Sequence, residues 1–192
     1  MTLFLAEKNI SLPVTELSLR HGEQRAPEML ALNPRGQVPF LVLDDGQVIA
    51  ESVSICRYLD ELHPEPPLFG SNAAERALTD MWIRRVETKL GGPVGGFWLH
   101  GHPLMAKRHD QIPAYAQSSR QLVIEALRWF DEQLAGHEWL AGDCYSLADI
   151  VLLTTVDFAA WIGIPLDEDN RALLDWHRRA SARYPAAITP PQ

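Results

Sequence analysis

Pro39 is the residue that most limits how this chain can fold. It interrupts Gln37 to Leu43, a run that is otherwise largely apolar and partly β-branched, and that follows the turn residues Asn33, Pro34, Arg35 and Gly36. Proline has no N–H to give to a ladder, so a strand here begins at Pro39 and does not run through it. A cis peptide after Val38 is one conformation open to this position, and it would turn the Val38 N–H and C=O out of the sheet. Asp44, Asp45 and Gly46 then supply a hairpin turn, and Gln47 to Ala50 supplies the second strand. Glu51 and Ser52 open a helix whose Ile55, Leu59 and Leu62 fall on one face. Backbone N–H groups and the dipole at that helix start favour a carboxylate. A free backbone edge beside an acidic residue and a hydroxyl suits a small peptide that bears both a carboxylate and an amine.

The rest of the chain reads differently. His63 to Asn72 contains Pro64, Pro66, Pro67 and Gly70, cannot continue a helix, and reads as a linker. Beyond it there is no strand signal. Ala73 to Leu90 is a long candidate helix, broken or kinked at Gly91, Gly92 and Pro93 before Val94 to Leu99. Gln121 to Leu134 has apolar residues at helical spacing and stops at Gly136, and Ser146 with Asp149 forms an S-x-x-D capping box. The formal net charge of −8 argues against nucleic acid or an anionic membrane as the main partner. No apolar run approaches the roughly 20 residues of a membrane span and the start does not read as a signal peptide, so a cytoplasmic protein is expected. Cys56 and Cys144 are too few for a disulfide framework or a zinc site, no metal is expected, and Cys56 reads as a small core residue.

The block from Asn33 to Ser52 resembles the glutathione-binding half of the glutathione S-transferases, which carries an N-P-x-G-x-V-P turn and strand followed by an E-S dipeptide. The capping box after Leu140-Ala141-Gly142-Asp143 resembles the start of that family's buried central helix. Met81 to Pro103 is similar to the fourth helix of a bacterial and fungal branch. The resemblance implies an α/β plus all-α protein: a thioredoxin-like N-terminal domain over residues 1–63, a linker over 64–72 and an all-helical C-terminal domain over 73–192. It also implies that Val38 pairs through its backbone with the cysteinyl part of glutathione, that Pro39 is the cis-proline, and that Glu51 and Ser52 hold the γ-glutamyl end. Gln37 is the candidate for the glycyl carboxylate. Trp82, Arg85 and Phe97, with His100 and His102, are candidates for the wall of the electrophile site. For Trp82 and Phe97 the alternative is ordinary packing, and for Arg85 it is a solvated helix face or a dimer-interface salt bridge.

By the same resemblance, Leu3 to Lys8 matches the end of a first helix and Val14 to Leu19 a second strand. The first strand, and the loop whose Tyr, Ser or Cys activates the thiol, are then missing, and the N-terminal domain is expected to be truncated. Met1 to Leu5 cannot serve as that strand, because a parallel crossover needs about a dozen residues or more. A start codon placed too late or an incomplete chain explains this better than a natural truncation. His100 and His102 are the remaining candidates to take the thiol proton. The activity implied is conjugation of glutathione, as co-substrate, to small apolar electrophiles by a homodimeric detoxification enzyme. A non-catalytic glutathione-binding or scaffold protein, disulfide reduction, and an inactive truncated product are the alternatives.

Overall fold

The computed structural model describes residues 1–184 and divides into two compact units, Met1–Pro67 and Leu68 onward.

The first unit contains α1 (Thr2–Lys8), α2 (Pro27–Leu32), β1 (Phe40–Val42), β2 (Val48–Ala50) and α3 (Ser52–Leu62). Pro39 directly precedes β1, as a ladder-incompetent residue must. The two strands form an antiparallel hairpin with Phe40 opposite Ala50 and Val42 opposite Val48. Gly46, at φ 85, closes the turn between them by donating its N–H to Leu43 O at 2.9 Å. On α3 the buried stripe is Ile55, Cys56 and Leu59, whereas Leu62 is 57% exposed. The expected inward Leu62 is therefore corrected: the helix ends there and the chain departs at His63.

Lys8 fastens α1 in place. Its buried ammonium meets Asp60 Oδ1 at 2.5 Å and donates to the carbonyls of His63 at 2.7 Å and Pro66 at 2.5 Å. Three oxygens around one ammonium supply the partners that a desolvated charge requires.

The expected strand Val14–Leu19 does not form. Among the described residues the sheet has two strands, and Val14 and Leu19 are 73% and 51% exposed. Apolar, β-branched composition is not enough for a strand, because the backbone needs a ladder partner and this segment has none in the sheet.

The second unit holds α4 (Ala73–Arg85), a π-helical turn (Val86–Gly91), α5 (Gly92–Gly101), α6 (Pro113–Leu134), α7 (Leu147–Trp161) and α8 (Arg171–Ala182). Asn72 caps α4 by accepting from the N–H groups of Ala74 and Glu75, both at 3.0 Å. Of the two outcomes expected at Gly91-Gly92-Pro93, a break or a kink, the break does not occur: the chain stays helical by widening. Gly92 N–H reaches back five residues to Glu87 O, and Pro93, which has no N–H, falls in the first turn of α5. Gly96 then lets α5 lie close on α6, since a Cβ there would stand 2.7 Å from Ser119 Oγ. Helix α6 begins at Pro113, eight residues ahead of the expected Gln121, because Ala116 and Ser119 continue the inward stripe with small side chains that a hydrophobic pattern underweights.

Helix α7 buries residues around most of its circumference, among them Leu147, Ile150, Leu153 and Val156, as a central helix must. Its capping box is present, and Asp149 does more than cap. Asp149 Oδ1 accepts from Leu140 N–H and Trp176 Nε1–H, each at 2.9 Å, and Oδ2 accepts from the N–H and hydroxyl of Ser146, each at 3.0 Å. One fully buried carboxylate thus joins the 139–146 loop, α7 and α8.

Candidate functional site

A cleft of about 440 Å³ opens in the first unit. The turn on one of its walls is rigidly built. Buried Asn33 donates from Nδ2 to Gln37 O at 2.8 Å and accepts the Arg35 N–H on Oδ1 at 3.3 Å, while Gly36 N–H donates to Asn33 O at 2.9 Å. Gly36 has φ 58, and a Cβ there would stand 3.1 Å from Leu30 Cδ2 and 3.2 Å from Arg25 Cγ. Glycine is needed both for the backbone and for the Arg25 stem that lies beside it.

The cleft brings together Gln37, Val38, Pro39, Glu51 and Ser52. The Val38–Pro39 peptide is cis, and Val38 is 40% exposed. Glu51 precedes α3 at φ 67 and ψ 120, a conformation that L-residues rarely adopt, and its side chain makes no capping bond. The first bond back to it is from Ile55 N–H at 3.0 Å, so the N–H groups of Ser52, Val53 and Ser54 have no acceptor within the helix. Arg35 Nη1 lies 3.9 Å from Glu51 Oε1. The lining thus combines a backbone edge, the acidic residue Glu51, a helix N-terminus and the basic residue Arg25. Leu19, Gln24, Arg25, Asn33 and Gly36 also line it and were not picked out as site residues from sequence. Gln24 and Arg25 come from a short 3₁₀ turn, Glu23–Arg25, whose polar letters carry no local signal of a site.

The remaining candidates belong to the second unit. Trp82 packs on Trp129 and Phe130 with ring centroids 5.8 and 6.5 Å apart, and the Arg85 guanidinium sits 4.7 Å over the Trp82 ring. Phe97 lies over Gly101 on α5, where a Cβ would stand 2.9 Å from the ring. His100 is engaged at both nitrogens: Nδ1 accepts from Ile112 N–H at 3.2 Å and Nε2 faces His109 Nε2 at 3.3 Å. Because Ile112 can only donate, the His100 proton belongs on Nε2, which donates to His109. His102 accepts from Leu104 N–H on Nδ1 at 3.4 Å and stacks on Trp161 at 5.6 Å.

Cys56 is packed away from this chemistry. Burial pushes its thiol up to about 11, an effect opposed by the chain-terminal amine and reinforced by Asp60. Its Sγ lies 3.5 Å from Met1 Sδ.

The chain thus joins a small α/β unit, whose cleft carries a cis-proline, to a helical unit, and comparison with known proteins shows the family to which that arrangement belongs. Residues 1–62 match the family model for the glutathione S-transferase N-terminal domain and residues 99–183 that for the C-terminal domain. Glutathione S-transferase 2 of Saccharomyces cerevisiae is 34% identical over 183 residues, covering 93% of this chain and 78% of its own length. FtsZ-localized protein A of Caulobacter vibrioides is 32% identical over 188 residues, covering 94% and 80%. The crystal structure of Gtt2 from Saccharomyces cerevisiae superposes with a TM-score of 0.87 at 33% identity, over 95% of this chain and 89% of that one. The chain belongs to the glutathione S-transferase family. Its fold is accordingly a thioredoxin-like N-terminal domain followed by a helical C-terminal domain.

Proposed function

We propose that the cleft of the first unit binds glutathione and that the protein transfers its thiolate to small apolar electrophiles. One observation supports this most directly: Val38 beside the cis Pro39, and Glu51 with Ser52 at an uncapped helix start, line a single cleft. The Val38 backbone pairs with the cysteinyl residue, as an added strand pairs with a sheet edge. The α3 N-terminus and Ser52 take the γ-glutamyl carboxylate, and Glu51 takes its ammonium. Gln37 and Arg25 meet the glycyl carboxylate, Arg25 supplying the positive charge.

Activation of the thiol requires stabilising the thiolate, whose free acid has a pKa of about 8.5. Among the described residues lining the cleft, Ser52 carries the one hydroxyl. His100 is disfavoured as a base because both its nitrogens are engaged, and His102 is already an acceptor for Leu104. Trp82 and Phe97 set the preference among electrophiles, with Arg85 held against Trp82. The protein acts as a cytoplasmic homodimer in this reading.

Calorimetric titration with glutathione tests binding, and conjugation of a chlorinated nitrobenzene tests turnover. Wild-type binding that weakens about tenfold in Glu51→Gln is expected, and absence of binding to the wild type sinks the proposal. Binding without conjugation favours a second reading, a partner-binding protein of the same fold. That reading is supported by the likeness to FtsZ-localized protein A.

A further inference from the structure

We infer that Arg35 is a specificity residue for the free amino-acid end of the ligand, reading its α-carboxylate while Glu51 reads its ammonium. The inference rests on the glutathione reading of the cleft and adds to it a residue outside the lining set.

The geometry begins with two side chains launched from fixed backbone. The N–H of Arg35 is held by buried Asn33, and the next residue is a glycine locked at φ 58. Glu51 is held at φ 67 at the mouth of α3. From these anchors Arg35 Nη1 and Glu51 Oε1 approach to 3.9 Å. Both side chains remain open to solvent, at 69% and 65% exposure, so neither is buried in a structural role. At 3.9 Å the pair is an ion contact without a hydrogen bond, and such exposed contacts hold weakly. Neither the Glu51 carboxylate nor the guanidinium fork is committed to a tight partner by this contact.

A guanidinium next to a carboxylate is the charge complement of an α-amino acid terminus, which presents an ammonium next to a carboxylate. When such a terminus arrives, the Arg35–Glu51 contact exchanges for two new ones, Arg35 to the ligand carboxylate and Glu51 to the ligand ammonium. No charge is left unpaired in the exchange, and the planar fork can bind the carboxylate at two points. The α3 N–H groups share the same carboxylate, so Arg35 adds discrimination to a site that already attracts anions. A ligand with an ammonium but no carboxylate gains nothing from Arg35.

The test is a cycle of two proteins and two ligands by calorimetry, on the full chain. The ligands are glutathione and 4-aminobutyryl-cysteinyl-glycine, which keeps the amine and lacks the α-carboxylate. Arg35→Ala should weaken glutathione binding about fivefold and leave the analogue unchanged, with Arg35→Lys intermediate. Unchanged or tighter glutathione binding by Arg35→Ala would overturn the inference, since Arg35 would then be only a competitor for Glu51. Equal loss for both ligands would overturn it as well, assigning Arg35 to the placement of Glu51. Wild-type protein that binds neither ligand removes the glutathione reading itself, and with it this one.

Discussion

Replacing Asp149 by alanine should be among the most damaging single changes in the second unit, and the structure lets its cost be worked out. Four donors converge on the carboxylate: Leu140 N–H, Trp176 Nε1–H, and the N–H and hydroxyl of Ser146. The Ser146 hydroxyl can rotate to another acceptor, but the other three donors are held by backbone or by a fully buried indole. A buried donor left unpaired costs about 1–3 kcal/mol, so three cost about 3–9, and water entering the vacated space brings the expectation to about 4 kcal/mol. That is a large share of a total stability of about 5–15 kcal/mol. Urea unfolding followed by tryptophan fluorescence and far-ultraviolet dichroism measures it, and a melting temperature lower by about 8–16 °C should accompany it. Asp149→Asn, which keeps one acceptor oxygen for Leu140 and Trp176 but sets an amide N–H against Ser146, should lose about 2 kcal/mol. The pH dependence has a definite sign. Burial raises the Asp149 carboxyl above its ordinary 3.8 despite the four donors drawing it down. A raised folded-state value gives a stability contribution that is present at pH below 3.8 and lost as pH rises through the folded value, so the advantage of wild type over Asp149→Asn should shrink upward from about pH 4. An Asp149→Ala protein that unfolds within about 1 kcal/mol of wild type would refute the account of the hub.

Three further expectations follow from particular residues. With a thiol reagent at about pH 8, exposed Cys144 should react in the native protein and Cys56, its thiol raised to about 11, should react only in denaturant, so two equivalents titrating natively would contradict the buried assignment. Glu51→Gly should relieve the positive φ of that position and stabilise the fold by up to about 1 kcal/mol while weakening glutathione, whereas loss of stability would show that φ 67 carries no strain. Gly96→Ala sets a Cβ 2.7 Å from Ser119 Oγ and should cost about 1–3 kcal/mol by urea unfolding, and adding Ser119→Ala should recover part of the loss.

The parts of the fold that could be read from sequence are those whose signal is local. Asn33 to Gly36 is a turn because its residues bond one another, Pro39 marks a strand entrance because it lacks an N–H, and the capping box needs only Ser146 and Asp149. What escaped depends on partners distant in sequence. The apolar letters of Val14 to Leu19 suggest a strand, but pairing decides one, and the segment lies outside the two-stranded sheet. Gly91-Gly92-Pro93 suggests a helix break or kink, yet a π-helical turn, with the Gly92 N–H bonded to Glu87 O, carries the helix across it. For the cleft, the residues contributed by the turn, the strand entrance and the helix start were visible together in one short block. Arg25 was not, because it lies outside that block and meets it in space, its stem beside Gly36.

The π-helical turn at Val86–Gly91 also has a consequence for how the sequence can vary in length. A wide turn of this kind is equivalent to an ordinary helix that has accepted one additional residue. Because the extra residue is absorbed within the turn, deleting one residue there would restore regular winding and leave everything beyond it facing as it does now, with Gly96 still against Ser119. A deletion between the turn and Gly96 has no such slack: it would rotate Gly96 by about 100° and drive a bulkier neighbour into the space that α6 occupies. A single-residue gap should therefore be tolerated at the wide turn and not in the regular helix that follows it.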